Sequence, residues 1–256
     1  MSGKKNHEST NRSLRANSKR LLTRNTSFEV REAFVRLRTS MMFCMNGERE
    51  EPCRVFGITS AKPSEGKSLI AANTAICFAM LQKKTLLIDG DLRKPTMRGL
   101  WDIREKRGLS DFLVGAVPLR LISLKEIPLT IIPSGSIPPN PSEILSSAKM
   151  RQFIESCIEK YDYIIIDTPP VGTVADAQIV SVLVDGFVVV ARSGETSRSE
   201  LNDALSSIYA VGGNVCGVVL NDISKKSLKY NYRYKGSHYG YKYQYDGKYG
   251  YEKRTE

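Results

Sequence analysis

The sequence predicts an α/β fold, a mainly parallel β-sheet flanked by helices, between disordered N- and C-terminal tails. Three observations carry this. Short β-branched and aliphatic runs alternate with longer stretches of helical periodicity, which implies right-handed βαβ crossovers. Several of the runs end in Asp or Asn, as strands do whose carboxyl ends open onto a ligand crevice. The charge is also segregated. The net +11 comes from residues 1–24 and 225–256, each +6, while 25–224 carries 22 basic and 23 acidic residues.

Residues 1–27 are polar, basic and rich in Ser and Asn, the composition of a disordered tail. Val30, Phe34, Leu37 and Met41 then recur at i, i+4, i+7 and i+11, one apolar face of a helix expected over 28–46. That face is expected to pack on the domain. Glu32, Arg36 and Arg38 lie on other faces and are candidates to meet a neighbouring subunit. After a charged linker, Val55 to Ser60 is the first buried strand and Leu69 to Leu81 a small-residue helix.

Between that strand and helix runs Ala61-Lys62-Pro63-Ser64-Glu65-Gly66-Lys67-Ser68. A glycine-containing loop that opens a helix after a strand is the context for binding phosphate. The first amides of the helix have no intrahelical partner, and the helix N-terminus favours an anion. Gly66 lets the backbone curl, Lys67 carries charge to the β- and γ-phosphates, and the Ser68 hydroxyl suits Mg²⁺. The loop departs from G-x-x-x-x-G-K-[ST] at its first position, Ala61.

Thr85 to Ile88 is a second strand and ends in Asp89-Gly90-Asp91, whose acids, two residues apart in extended chain, can point the same way. Gly108 to Leu113 leads into a short helix, and Leu129 to Ile132 is a strand broken by Pro133-Ser134-Gly135. Pro138-Pro139-Asn140-Pro141 precedes a helix expected from Ser142, its N-cap, to about Lys160. Tyr163 to Ile166 is a strand ending in Asp167, Ala175 to Val184 a helix and Phe187 to Val190 a strand. Ser199 to Tyr209 is the last helix and Val215 to Leu220 the last strand, ending at Asn221. The folded unit so defined is 28–224.

Nine of twelve tyrosines then crowd into 225–256: Tyr230, Tyr232, Tyr234, Tyr239, Tyr241, Tyr243, Tyr245, Tyr249 and Tyr251. They alternate with Lys, Arg and Gly, and with aliphatic residues nearly absent after Leu228 the segment cannot bury a core. As a flexible chain its 32 residues span on the order of 30 Å.

Inventory excludes other chemistries. Both histidines, His7 and His238, lie in the tails, so the domain has no His triad or His-based zinc site. Five cysteines without C-x-x-C spacing read as reduced cytosolic thiols. No apolar run approaches a membrane span. Basic tails on a near-neutral domain argue against a DNA-reading surface and a specific nucleic-acid partner, and favour contact with acidic lipid or acidic proteins. Asp89, Asp91 and Asp167 beside the loop would repel one another unless a cation sits among them, which points to Mg²⁺ bound with ATP.

The loop, Leu86-Leu87-Ile88-Asp89-Gly90-Asp91-Leu92-Arg93-Lys94-Pro95, Ile164-Ile165-Ile166-Asp167-Thr168-Pro169-Pro170, the Pro138 to Glu143 segment and the tyrosine tail occur in this order. Together they resemble the bacterial tyrosine kinases of capsule and exopolysaccharide systems, on the P-loop NTPase fold of MinD/ParA type. The resemblance implies that residues Lys62, Pro63, Ser64, Glu65, Gly66, Lys67, Ser68 and Leu69, with Asn221, bind ATP. It implies that Ser68, Asp89, Asp91 and Asp167 serve Mg²⁺, and that Lys67 and the three acids are catalytic, with Asp89 or Asp91 the base for a tyrosine hydroxyl. Asp89 and Asp91 would be the Walker A′ element and Asp167 the B element.

The family further implies a ring-like homo-oligomer in which one subunit's tail is phosphorylated by its neighbour. Its partners would be a separate membrane-anchored activator, a cognate phosphotyrosine phosphatase and polysaccharide-synthesis proteins. The location implied is cytoplasmic, at the inner face of the membrane. Two departures stand out. In the family's E-x-x-R-x-x-R helix the middle position here is Val35, with Arg36 one place late. Lys62 occupies the place of the MinD/ParA signature lysine, but Pro63 replaces the glycine after it. A MinD/ParA-like positioning ATPase is the alternative reading and a polyanion-binding module a third. The tyrosine tail separates the first reading from the second, and the three acids separate it from the third.

Overall fold

The computed structural model describes residues 20–23, 25–44 and 53–223. The chain divides into two compact units, 1–221 and 222–256. The first is described below; all but two residues of the second, including the tyrosine cluster, lie outside the described residues.

Seven strands form one sheet in the order β3-β4-β2-β5-β1-β6-β7. Their ranges are β1 Arg54–Ser60, β2 Thr85–Asp89, β3 Ile122–Ser123, β4 Leu129–Ile132, β5 Tyr163–Asp167, β6 Gly186–Arg192 and β7 Val215–Asn221. All pair in parallel except β3, which runs antiparallel to β4 at one edge. β1, β2 and β5 are covered on both faces, so they read as unbroken apolar runs rather than alternating ones. β7 is the other edge and exposes Val218 and Leu220.

The helices are α1 Phe28–Cys44, α2 Lys67–Ala79, α3 Met97–Leu100, α4 Leu109–Leu113, α5 Pro141–Leu145, α6 Ala148–Ile158, α7 Asp176–Val180 and α8 Arg198–Tyr209. A 3₁₀ turn, Ser181–Leu183, continues α7. One face of the sheet packs on α4 to α8 and the other on α1, α2 and α3. At the centre of the second layer Phe78 of α2 stacks on Tyr163 at 4.0 Å and faces Phe56 at 6.3 Å. Burying a ring of this kind stabilises the fold by about 1.5–3 kcal/mol. Among the described residues no helix is long and apolar enough to cross a membrane.

Four expectations change. The helix expected from Ser142 to Lys160 is two helices, broken at Ser146-Ser147. Asn140 stands at the N-cap of α5 and Pro141 at its first turn, while Ser147 caps α6 by accepting the Met150 amide. Ser142 is no cap: its hydroxyl donates to Asp176 Oδ1 at 2.7 Å, a partner 34 residues away. The expected helix 175–184 is five α-helical residues and a 3₁₀ turn.

Thirdly, α1 packs through Phe34, Leu37 and Met41, but Val30 is exposed and Val35 is half-buried in its place. Arg38 turns inward, Nη1 donating to the Cys77 carbonyl of α2 at 3.0 Å, whereas Arg36 stays exposed beside Glu32 at 3.4 Å. Lastly, the boundary expected at residue 28 leaves out residues that pack: Leu22 is buried against α2.

Candidate active site

β1, β5 and β2 lie side by side, and their carboxyl ends carry the loop before α2, Asp167 and Asp89. The register places Asp167 level with Asp89 on one side and Ile58 on the other. Gly90 makes the close approach possible. Its amide donates to the Asp167 carbonyl at 2.8 Å, and a Cβ there would meet that carbonyl oxygen at 2.8 Å.

The loop is shaped by side chains other than those expected to touch phosphate. Gly66 takes a left-handed φ of 93° at the start of α2, and no side chain caps the helix, so its first amides face outward. A Cβ on Gly66 would strike Asn221 Nδ2, which donates to the Glu65 carbonyl at 2.9 Å. The buried Glu65 carboxylate accepts from the Lys62 amide at 2.8 Å and from the Thr196 hydroxyl. Lys62 Nζ is held by Glu200 at 3.0 Å and by the Glu195 carbonyl at 3.0 Å. Glu200 is correspondingly pulled down to about 2 by the Ser197 amide and by Lys62. Ala61 fits the glycine position of the pattern because it keeps a negative φ; the strained left-handed residue is Ser64, φ 66°.

Lys67 is the centre of charge. Its Nζ lies 2.8 Å from Asp91 Oδ2, 3.4 Å from Asp167 Oδ1 and 3.2 Å from Ser68 Oγ. Burial alone would lower its pKa, but the Asp167 and Asp91 carboxylates outweigh that and raise it. Asp89 is fully buried; Oδ2 accepts from the Met97 amide at 3.1 Å and Oδ1 has no partner among the described residues. Burial and the neighbouring Asp167 push Asp89 up to about 8. Asp167 is raised as well, by burial, against the pull of Lys67 and Ser68, and its Oδ2 is also without a partner.

Asp89 and Asp91 therefore do not point alike. β2 ends at Asp89 and the chain turns, so Asp91 faces Lys67 and also accepts the Lys94 amide at 2.9 Å. Among the described residues no three carboxylate, His or Cys side chains are placed to grip a metal together; the Lys67 ammonium stands between Asp91 and Asp167. The donor set still suits a hard divalent cation. Asp89 Oδ1 and Asp167 Oδ2 are buried carboxyl oxygens with no hydrogen-bond partner among the described residues, and Ser68 offers a hydroxyl.

These groups border a cleft of about 450 Å³. Pro63, Ser64, Gly66, Lys67, Ser68, Leu69 and Asp91 line it; Lys62, Glu65 and Asn221 support the loop from outside the lining, and Asp89 and Asp167 are fully buried and not part of the lining. Arg20, Arg93, Lys94, Thr96, Pro169 and Thr173 also line it, and sequence reasoning gave none of them a role. Arg93 grips the buried Asp176 by Nε and Nη2, at 2.8 and 3.0 Å, and Nη2 donates to Ser142 Oγ at 2.9 Å. That triad ties the loop after β2 to the starts of α5 and α7. The Arg-Lys pair after a strand-end acid was a visible signal; its partner Asp176 was not.

A family model of the ParA type, described as a NUBPL iron-transfer P-loop NTPase, matches residues 53–234. The tyrosine-protein kinase YwqD of Bacillus subtilis is 40% identical over 186 residues, 72% of this chain and 75% of its own. The tyrosine-protein kinase CpsD of Streptococcus pneumoniae is 39% identical over 180 residues, 69% and 79%. The chain belongs to the bacterial tyrosine-protein kinases. The solved kinase domain of the Escherichia coli tyrosine kinase ETK superposes with a TM-score of 0.70 at 33% identity, covering 82% of this chain and 79% of that one. In a tyrosine kinase on this fold the loop between β1 and α2 implies a nucleotide site. The nine tail tyrosines, Tyr230 to Tyr251, lie outside the described residues.

Proposed function

We propose that the protein transfers the γ-phosphoryl group of ATP to tyrosines of its own C-terminal cluster, between subunits of a homo-oligomer. The observation that carries the reading is Lys67, buried and held at hydrogen-bond distance of Asp91 and within 3.4 Å of Asp167 at the mouth of an uncapped helix. In the reaction the bond from the γ-phosphorus to the β-phosphate oxygen breaks and one to the tyrosine oxygen forms. Lys67 and the first amides of α2 stabilise the charge on the phosphate oxygens. The phenol proton, with an unperturbed pKa near ~10, passes to an A′ acid. Asp91 has the reach, because it lines the cleft; Asp89 has the proton affinity, because burial and Asp167 raise it. Ser68, Asp89 and Asp167 would hold Mg²⁺, which supplies charge neutralisation at the phosphates.

Among the described residues that line the cleft there is no histidine or cysteine to compete as base or nucleophile, and the tail brings nine phenols in 32 residues. Each phosphate adds roughly −1.5 to −2 charges, so full modification would turn the tail from net positive to strongly negative. This supports a switch that loosens the oligomer and releases acidic surfaces. By family likeness we assign the kinase to capsule or exopolysaccharide synthesis, cytoplasmic and recruited to the inner membrane face by a separate membrane-anchored activator. A phosphotyrosine phosphatase would reset it, and polysaccharide-synthesis proteins are further candidate substrates. The exposed Glu32 and Arg36 of α1, with the half-buried Arg38, are candidates for the subunit contact.

The test mixes a Lys67→Met subunit with an active subunit lacking the tail, in Mg-ATP and in EDTA. Phosphotyrosine on the inactive partner's tail, lost in EDTA, is expected by mass spectrometry. Phosphate confined to Ser or Thr, or to Tyr161, Tyr163 and Tyr209, would end the tail-switch reading.

A further inference from the structure

α2 is built from small and apolar residues, with one side-chain amide in its buried stretch. Asn73 is 1% exposed. A buried primary amide is costly unless its oxygen and nitrogen both find partners. Both are spent on the segment before α1. Asn73 Oδ1 accepts from the Leu22 amide at 2.7 Å, and Nδ2 donates to the Arg20 carbonyl at 3.2 Å. Asn73 therefore pairs with this strap much as a neighbouring strand would.

Leu22, between the two bonds and the turn that follows, is buried in the same core layer as Ile70 and Met41. The strap then closes on itself. The Thr26 amide donates to the Thr23 carbonyl at 3.1 Å, and the Thr23 amide to the Thr26 hydroxyl at 2.9 Å, just before α1 begins at Phe28. Residues 20–23 are thus fixed at both ends, by α2 and by the turn into α1.

The strap presents Arg20 to the cleft, in the same lining as Gly66, Lys67 and Ser68. The other arginine of that lining, Arg93, has its guanidinium engaged by Asp176 and Ser142. Arg20 is exposed, and its guanidinium has no partner among the described residues. A forked, permanently charged donor with no partner among the described residues, anchored by its backbone at the edge of a phosphate-binding cleft, is suited to an anionic oxygen of the ligand.

The geometry points to Arg20 as a nucleotide-phosphate ligand, delivered by an N-terminal strap that Asn73 and Leu22 clamp to the phosphate-loop helix. This rests on the nucleotide reading of the cleft. It makes the segment before α1 part of the binding site, and it couples nucleotide occupancy to the docking of that segment and of α1 behind it.

The experiment titrates the full chain with Mg-ADP and with adenosine by calorimetry. Arg20→Ala should weaken Mg-ADP about tenfold, as expected for one charge-assisted contact, while adenosine binding stays unchanged. Arg20→Lys should recover part of the loss. Leu22→Ser keeps Arg20 but frees the strap, and should weaken Mg-ADP to a similar degree. Lys67→Met is run beside them. If Lys67→Met weakens Mg-ADP while Arg20→Ala and Leu22→Ser bind within about twofold of the parent, the strap proposal is overturned and the nucleotide site stands. If Lys67→Met also binds as the parent does, the nucleotide reading itself fails. An Arg20→Ala loss shared equally by adenosine would mean a structural effect, and would equally overturn the assignment to phosphate.

Discussion

On the loop side of the cleft the Glu65 carboxylate receives the Lys62 amide and the Thr196 hydroxyl, and its carbonyl receives Asn221. On the acid side, Asp89 Oδ1 and Asp167 Oδ2 are buried and receive nothing among the described residues. The loop is held in a phosphate-binding shape by the chain's own hydrogen bonds, so the form of the site does not wait for a ligand. The acids are arranged the other way. One ammonium, Lys67, joins Asp91 to Asp167, while Asp89 Oδ1 and Asp167 Oδ2 keep lone pairs that a bound cation would fill. Pre-organisation thus sits at the loop, and electrostatic tension sits at the strand-end acids.

The contrast breaks most severely at Lys67, which serves both sides. Lys67→Met removes the charge beside the γ-phosphoryl group and leaves Asp91 and Asp167 without their ammonium. Phosphotransfer should fall on the order of 10³-fold or more, with the circular dichroism spectrum of the folded protein retained. Near-normal tyrosine phosphorylation by the folded variant would falsify the assignment of the loop.

Removing the clamp of the pre-formed side should have the next largest effect. Glu65→Ala strips the acceptor from the Lys62 amide and from Thr196, inside a site where Glu65 is 2% exposed. Leaving buried donors unmet costs about 1–3 kcal/mol, so Tm should drop by roughly 3–10 °C and Mg-ADP should bind more weakly. A variant with unchanged Tm and unchanged affinity would show that the loop is not held in this way.

The two sides were also unequally legible in the sequence. The acid side could be read because each strand is a short buried run that stops at a carboxylate, and β2 and β5 pair in register to bring Asp89 level with Asp167. What holds the loop could not. Glu65 meets Thr196 and Asn221 from more than 130 residues away, and nothing local marks either as its partner. Ser142 likewise has the spacing of a helix cap but is taken by Asp176, itself claimed by Arg93. The break between α5 and α6 follows from a second serine, Ser147, which caps better placed amides than Ser142 could. The edge strand β3 has two residues and α3 four, too short for any periodicity to register. Arg20 was hidden by its neighbourhood. A basic, polar tail gives no hint that Asn73, in the middle of an apolar helix, is waiting for its backbone.

The tension on the acid side has a pH signature. Asp89 sits at about 8 in the folded protein, against about 3.9 when exposed, so folding favours its protonated form. Its contribution to stability is fully present below pH ~4 and is lost as pH climbs through ~8. Asp89→Asn keeps an oxygen for the Met97 amide and cannot titrate. In the absence of nucleotide and metal, the variant should gain on the parent from pH ~4 to ~8 and level off above that, with a Tm difference of about 2–8 °C at the top. Tm curves of the two proteins that run parallel across this range would show that Asp89 carries no such tension.

The smallest effect belongs to Lys62, and it is the one that separates a kinase from a positioning ATPase on the same fold. If Lys62 worked as a signature lysine on phosphate, truncating it would rival Lys67→Met. Here the side chain is turned away from the cleft lining and tied to Glu200 and to the Glu195 carbonyl of its own chain, both near the surface. Exposed ion pairs of this kind contribute little, because water screens them and holding two long side chains costs entropy. Pro63, in place of the glycine that would free the backbone after Lys62, further restricts any swing toward a neighbouring subunit. Lys62→Ala should therefore change tyrosine phosphorylation by less than about threefold and leave Tm almost where it was. A loss of phosphotransfer comparable to that of Lys67→Met, with Mg-ADP binding impaired to match, would place Lys62 on the nucleotide after all and bring the MinD/ParA-like ATPase reading back to the front.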